Sequence, residues 1–298
     1  MKNKFKIGYF ADGPWSHAAF EKIQSDSEIE IAFIVPRNDT KDDTLKRLAE
    51  RYDIDYLYPV RINNADFLEK LKSYNCDLFV SMSFNQIFKK ETIEIPKFKT
   101  INCHAGKLPF YRGRNILNWA LINDEKEFGI TVHYIDEGVD TGDIILQRTY
   151  PISDLDSYST LLETAYQECA SILYASIKLI QQDKVQPISQ KSIHPVGFYC
   201  GKRGPGDEII NWHQSSRELF NFIRSICAPG PICTTYFNNQ EVKINASRLI
   251  DDTRSYKGKP GQILVKTNDG YLVKTLDTMI EIMEIETEAK LKVGEVLK

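Results

Sequence analysis

Asn102, His104 and Asp140 fall within one stretch of the chain, and their types suit attack on a carbonyl. An amide N–H steadies an oxygen that gains charge, an imidazole carries a proton, and a carboxylate orients the ring. Asn102 and His104 alternate in I-N-C-H, so a strand puts both on one face and Cys103 on the other, where it reads as core. The G-K-L-P that follows turns sharply into a loop carrying Arg112 and Arg114. Asp140 lies in the turn D-E-G-V-D-T-G-D between Gly138 and Gly142, where backbone can approach a ligand closely. The calcium pattern D-x-[DN]-x-[DN]-G is not met there, and a turn joining two strands does not suit a helix–loop–helix site.

The elements that must hold these residues alternate in type. Phe5–Ala11, Ile29–Val35, a short segment at 56–60, residues 77–84, 100–103 and 130–135 read as strands. Residues 16–25, 41–52 and 65–74 read as helices, as does the long apolar stripe of 157–183. This rhythm predicts an α/β fold, a doubly wound, mostly parallel Rossmann-like sheet with ligands outside the carboxyl ends of its strands. Residues 1–183 form the expected catalytic domain, and 184–204, broken by prolines and glycines, the expected linker. Residues 205–298 bring a helix at 216–227 and five short strands, which predicts a small OB-like β-barrel. The turns Asn238-Asn239 and Asn268-Asp269-Gly270 suit hairpins, and Trp212 reads as core.

Bulk properties narrow the function classes. The net charge of −3 gives no general pull towards nucleic acid or an anionic membrane. No apolar run reaches the roughly 18 residues of a membrane span. The basic N-terminus reads as a first strand rather than a signal peptide. Six cysteines without a C-x-x-C pair point to reduced thiols in a cytoplasmic protein, with no metal expected. The first βα loop, D-G-P-W-S-H, lacks G-x-G-x-x-G, which disfavours hydride transfer with a dinucleotide. Trp15 in that loop could stack on a ring or simply pack, and His17 reads as a cap or surface residue.

The stretch I-N-C-H-A-G-K-L-P-F-Y-R-G-R-N, followed by G-I-T-V-H-Y-I-D-E-G-V-D-T-G-D-I-I, resembles the signature of the N10-formyltetrahydrofolate-dependent formyltransferases. These include methionyl-tRNA formyltransferase and, closest in type, the bacterial nucleotide-sugar N-formyltransferases. R-G-P-G-D-E-I-I-N-W onwards resembles the start of that family's C-terminal domain. The resemblance implies that Asn102 donates to the formyl oxygen, His104 moves the proton and Asp140 holds His104. It also implies a folate site at Gln86, Ile87, Phe88, Arg114, Asp136, Glu137, Gly138 and Val139, with N10-formyltetrahydrofolate as co-substrate. Sugar formyltransferases similar to this chain are often homodimers through the second domain. One departure stands out: the family often has S-L-L-P where this chain has Gly106-Lys107-Leu108-Pro109. Lys107 could meet a substrate phosphate or remain a solvated lysine.

Charge then bears on the acceptor. Transfer RNA binders need clustered Lys and Arg, yet residues 205–298 hold 12 basic and 13 acidic residues. A nucleotide-linked amino sugar needs only a few cations and a flat surface, which Tyr111, Arg112, Tyr199, Lys202 and Arg203 could supply. The expected reaction is N-formylation of such a sugar for a surface glycan, such as an O-antigen of lipopolysaccharide or a nonulosonic acid. Methionyl-tRNA formylation, formyl-folate hydrolysis and a non-catalytic folate- or nucleotide-binding module are the alternatives.

Overall fold

The computed structural model describes residues 4–40 and 43–298. Lys41 and Asp42, where a helix is expected to begin, lie outside the described residues. In chain order the first elements are β1 (Phe5–Ala11), α1 (Pro14–Gln24), β2 (Ile29–Val35), α2 (Thr44–Tyr52), β3 (Asp55–Tyr56), α3 (Ala65–Ser73) and β4 (Leu78–Met82). Next come α4 (Lys90–Ile93), β5 (Thr100–His104), β6 (Arg112–Gly113), α5 (Ile116–Ile122), β7 (Glu127–Tyr134), β8 (Ile144–Pro151) and α6 (Tyr158–Gln181). Then follow α7 (Gln190–Ile193), β9 (Tyr199–Cys200), α8 (Ser216–Ser225), β10 (Cys233–Phe237), β11 (Gln240–Leu249), β12 (Ile263–Lys266), β13 (Gly270–Lys274) and β14 (Met279–Glu286).

The chain divides into two compact units. The first comprises the described chain up to Gly113, Phe128–Tyr150 and Glu163–Cys200. Its seven-stranded sheet runs β3-β2-β1-β4-β5-β7-β8, with β1, β2, β3, β4 and β5 parallel and β7 antiparallel to β5. Strand order reverses beside β1, so the loops after β1 and β4 open where such sheets bind ligands. Phe10, Phe33, Phe79 and Phe88 form an edge-to-face aromatic core on one side of the sheet. On the other side α6 runs along the sheet: the Cys103 thiol points at the Cys169 carbonyl, and Tyr174 and Lys178 bond Asp26.

The second unit comprises Arg114–Glu127, Pro151–Leu162 and Gly201–Lys298. Its five-stranded antiparallel sheet runs β10-β11-β14-β13-β12. Asn238 and Asn239 both take the left-handed backbone that a tight two-residue hairpin needs. The last residues tie the two edges together. Gly294 and Leu297 bond Ile263 and Gly261 at the β12 edge, and Lys298 exchanges both backbone bonds with Tyr236 of β10. One face of α8 fills the interior with Leu219, Phe220 and Ile223, and Ser215 and Glu218 form a reciprocal capping box at its start. Trp212 is buried there, its indole N–H donating to Thr235.

Several boundaries differ from those read in the sequence. Residues 114–127 and 151–162, expected in the first domain, pack within the second unit. Asn118 donates to the Ser225 carbonyl at 2.6 Å, and Arg224 donates to the Ser153 carbonyl at 2.6 Å. Arg217 reaches both Asp124 and Asp154. The expected linker of 184–204 contains α7 and β9, and up to Cys200 it belongs to the first unit. The strand expected at 56–60 stops at Tyr56, short of Pro59, which has no N–H for a ladder. Helix α1 begins two residues earlier than expected because Pro14 suits the first helical turn. Strand β8 was not anticipated, since its second half carries Gln147, Arg148 and Thr149 in place of an apolar alternation. Among the described residues no helix is long and apolar enough to cross a membrane, and no group of three or more His, Cys, Asp or Glu could hold a metal ion.

Candidate active site

Strand β5 ends on Asn102 and His104, and the antiparallel register with β7 sets Asn102 opposite His133 and His104 opposite Thr131. Four polar side chains from two strands thus share one face. His104 is buried, and its Nδ1 lies 3.6 Å from Asp140 Oδ2. Its Nε2 is 2.7 Å from the Tyr111 carbonyl, which can only accept, so Nε2 carries a proton. Asp140 also receives the Gly113 N–H at 2.9 Å and faces His133 Nε2 at 3.5 Å. Burial works to raise the Asp140 carboxyl, but His104, His133 and the Gly113 N–H hold it well below the usual carboxylate range.

His133 was not singled out in the sequence. Its Nδ1 lies 2.8 Å from the Tyr134 carbonyl, to which it can only donate, and its Nε2 stands 3.3 Å from the Asn102 amide and 3.5 Å from Asp140 Oδ1. The Asn102 side chain is therefore placed by a ring from the neighbouring strand. His133 alternates with Thr131 in G-I-T-V-H-Y, and the register puts both on the face that carries Asn102 and His104. Thr131 and Gln147 support the G-K-L-P loop, Thr131 donating to the Gly106 carbonyl at 2.7 Å and Gln147 to the Leu108 carbonyl at 2.9 Å.

Gly106 is required by its surroundings. A Cβ there would stand 2.4 Å from His104 Nε2 and 2.5 Å from the Tyr111 carbonyl oxygen. The departure at G-K-L-P is thus coupled to the close approach of Tyr111 to His104. Lys107 is half-buried, its Cα and Cβ lying against Gly129.

The remaining candidates are dispersed. Gln86 accepts from the Ile62 N–H at 3.1 Å, Ile87 is exposed, and Phe88 is buried against Phe10 in the aromatic core. Asp136, Glu137, Gly138 and Val139 form an exposed turn in which Asp136 accepts from the Gly138 N–H and the Thr141 hydroxyl. Trp15 stands edge-on to Tyr166 of α6 at 4.8 Å. Tyr111 is buried against Phe198, while Arg112 lies over the exposed Tyr199 and gives Nε and Nη2 to Gln190. Arg114, Lys202 and Arg203 belong to the second unit, where Arg114 and Lys202 are exposed and Arg203 sits between Trp119 and Phe222.

An imidazole with its carboxylate beside an oriented amide is an arrangement for acyl transfer, and comparison with known proteins agrees with it. Residues 8–177 match the formyl transferase family, and residues 204–295 match the formyl transferase C-terminal domain. The chain belongs to the formyl transferase family. It is a formyltransferase, an enzyme that moves formyl groups. It is 31% identical over 256 residues to the methionyl-tRNA formyltransferase of Pelotomaculum thermopropionicum, covering 85% of this chain and 80% of that one. To the methionyl-tRNA formyltransferase of Clostridioides difficile it is 33% identical over 256 residues, with 85% and 81% covered. Among solved structures, the fold is similar to that of WlaRD, a sugar 3N-formyl transferase studied in the presence of dTDP and 5-N-formyl-THF. That TM-score is 0.69 at 23% identity, covering 97% of this chain and 100% of the other. An N-formyltransferase from Helicobacter canadensis, in complex with folinic acid and dTDP-3-aminofucose, gives a TM-score of 0.71 at 22% identity over 95% of this chain and 100% of the other.

Proposed function

We propose that this formyltransferase moves a formyl group from N10-formyltetrahydrofolate to the amine of a nucleotide-linked amino, deoxy sugar. The observation that carries the transfer chemistry is the set of Asn102, His104, His133 and Asp140, with both imidazoles buried. The co-substrate supplies an electrophilic formyl carbon. Asn102, aimed by His133, donates to the formyl oxygen as it takes up charge, a kind of contact worth about 3–4 kcal/mol. The new C–N bond forms at the amine while the bond from carbon to N10 breaks. His104, which carries a proton on Nε2, gives it to N10 as that nitrogen leaves and takes up the proton the amine releases, so the ring ends as it began. Asp140 keeps that ring in place and offsets its charge while it holds both protons.

The polar loop after β4 suits a folate ring. Asn85 Oδ1 and Gln86 Nε2 are buried there without a hydrogen-bond partner, one acceptor and one donor. Buried polar atoms are seldom left unpaired, and a heterocycle with both donors and acceptors on its edge would satisfy them.

For the acceptor, charge favours a sugar nucleotide. Residues 205–298 carry 12 basic and 13 acidic residues, and a concave surface on the second unit's sheet is lined by Glu241, Glu286 and Glu288 with Lys243. A surface of this sign repels a polyphosphate backbone. Formylation of methionyl-tRNA is the second reading, favoured by the names of the relatives at 31% and 33% identity. The two separate in one assay: release of tetrahydrofolate with dTDP-, UDP- and GDP-linked amino sugars, against charged methionyl-tRNA. Faster turnover on a sugar nucleotide supports the proposal, and faster turnover on the tRNA overturns it. Release with no acceptor would mark a formyl-folate hydrolase, and failure to turn over with any acceptor a binding module.

A further inference from the structure

Gln190 lies in the segment read from sequence as a linker, yet it is 2% exposed and its amide makes four hydrogen bonds. Oε1 accepts from Arg112 Nε at 3.1 Å and Nη2 at 2.6 Å. Nε2 donates to the Asp140 carbonyl at 2.9 Å and the Gly142 carbonyl at 2.8 Å. The guanidinium only donates and the two carbonyls only accept, so the amide has one possible orientation. Glutamate would set a carboxylate against two carbonyl oxygens, and asparagine is one methylene short.

Both groups that Gln190 holds act on Asp140. Arg112 precedes Gly113, whose N–H bonds Asp140 Oδ2 at 2.9 Å. Asp140 itself has a left-handed backbone (φ 54°), which a residue other than glycine keeps when its surroundings hold it. Gly142 beside it allows no side chain, since a Cβ would lie 1.9 Å from the Tyr134 carbonyl oxygen. The segment bearing Gln190 is pinned by two backbone bonds between Ile188 and Ile144, at 2.8 and 2.9 Å, and by the pairing of β6 with β9. Fixed in this way, one amide sets the separation between the loop that donates to the carboxylate and the turn that carries it.

We propose that Gln190 is a positioning residue of the formyl-transfer site, which acts through Asp140 on the orientation of His104. The proposal rests on the reading of His104 and Asp140 as the proton-handling pair. Gln190 touches no reacting atom, so its removal changes the chemical step rather than substrate binding.

The test uses the full chain with Gln190→Met, which keeps length and volume but removes all four hydrogen bonds, and Gln190→Glu, which keeps the Arg112 contact and repels the two carbonyls. The first readout needs no acceptor. The imidazole 15N resonances of His104, at fixed pH, are expected to move in both variants towards their positions in Asp140→Asn. The second readout uses whichever acceptor the wild type accepts: kcat falls about 100-fold, as for a displaced catalytic group, with KM changed by less than about twofold. On an Asp140→Asn background Gln190→Met adds little further loss. Unmoved His104 resonances in a folded variant overturn the proposal, as does a loss expressed in KM or one that adds fully to Asp140→Asn. If Gln190→Met does not fold, Gln190→Glu decides by the same criteria. If no acceptor is turned over by the wild type, the functional reading fails, and the resonances still decide the role of Gln190.

Discussion

Asp140 in the first unit and Asp124 in the second both ionise at lower pH than a free aspartate, and they reach that state by different routes. Hydrogen bonds from Arg217 come first at Asp124, and against modest burial they bring its carboxyl down to about 2. Burial comes first at Asp140 and pushes the other way, and it is overcome by His104, His133 and one backbone N–H. The charged partners of Asp124 are the Arg217 guanidinium and the Lys126 ammonium, with Arg224 a further 3.7 Å contact, and a guanidinium stays charged at every accessible pH. The side-chain partners of Asp140 are imidazoles, whose ring nitrogens can donate or accept a proton. A lowered carboxyl therefore does not mark a catalytic residue by itself. The type of partner and the degree of burial separate a group that holds two segments together from one that can manage a proton.

The comparison is broken most sharply by removing each charge. Asp140→Asn is expected to lower the rate of formyl transfer by roughly 10³–10⁴-fold, the scale seen when an orienting carboxylate is lost, measured as release of tetrahydrofolate. A second consequence concerns acid stability. The folded-state carboxyl of Asp140 lies below its unfolded value of roughly 3.9, so its contribution is complete above that pH and declines as pH falls further. Urea midpoints followed from pH 7 down to 3 should show a shallower acid decline in Asp140→Asn than in the wild type. An equal decline would show that the carboxylate is not stabilised by the folded state.

On the other side of the comparison, Arg224→Met removes the donor that the Ser153 carbonyl uses and one charge from the Asp124 cluster. It should cost about 2 kcal/mol of stability, since the buried Asn221 side-chain oxygen also loses its donor, while kcat stays within about twofold. Calorimetry alongside the rate assay checks both halves. The smallest effect is expected at Cys103, which is buried on the far side of β5 from His104. Cys103→Ala should cost about 1 kcal/mol through lost packing and leave the rate unchanged. A large loss of rate there would mean that a thiol, and not His104, handles the chemistry.

Much of the frame was legible because it depends on local pattern. Phe5–Ala11 and Ile29–Val35 have the boundaries read from their apolar runs. Asn102, His104 and Asp140 stand out in the sequence because alternation along a strand and glycines around a turn are visible without tertiary information, and the fold brings the three together. His133 escaped notice because its part depends on the β5–β7 register, which sets it opposite Asn102. Gln190 escaped notice for a stronger reason. Prolines and glycines around it resemble those of a flexible connection, while its bonds reach Arg112, 78 residues away, and Asp140, 50 residues away.

By itself the sequence determined the kind of chemistry, the parallel sheet that carries it and the change of rhythm into a second set of strands. These follow from residue type and from periods of two and 3.6, which are properties of neighbouring residues. Only the tertiary structure decided which segments belong to which unit, how Asn102 is aimed, and what holds the Asp140 turn. Each of those depends on a donor meeting an acceptor from a distant part of the chain, and a buried polar group must find such a partner wherever the fold brings one.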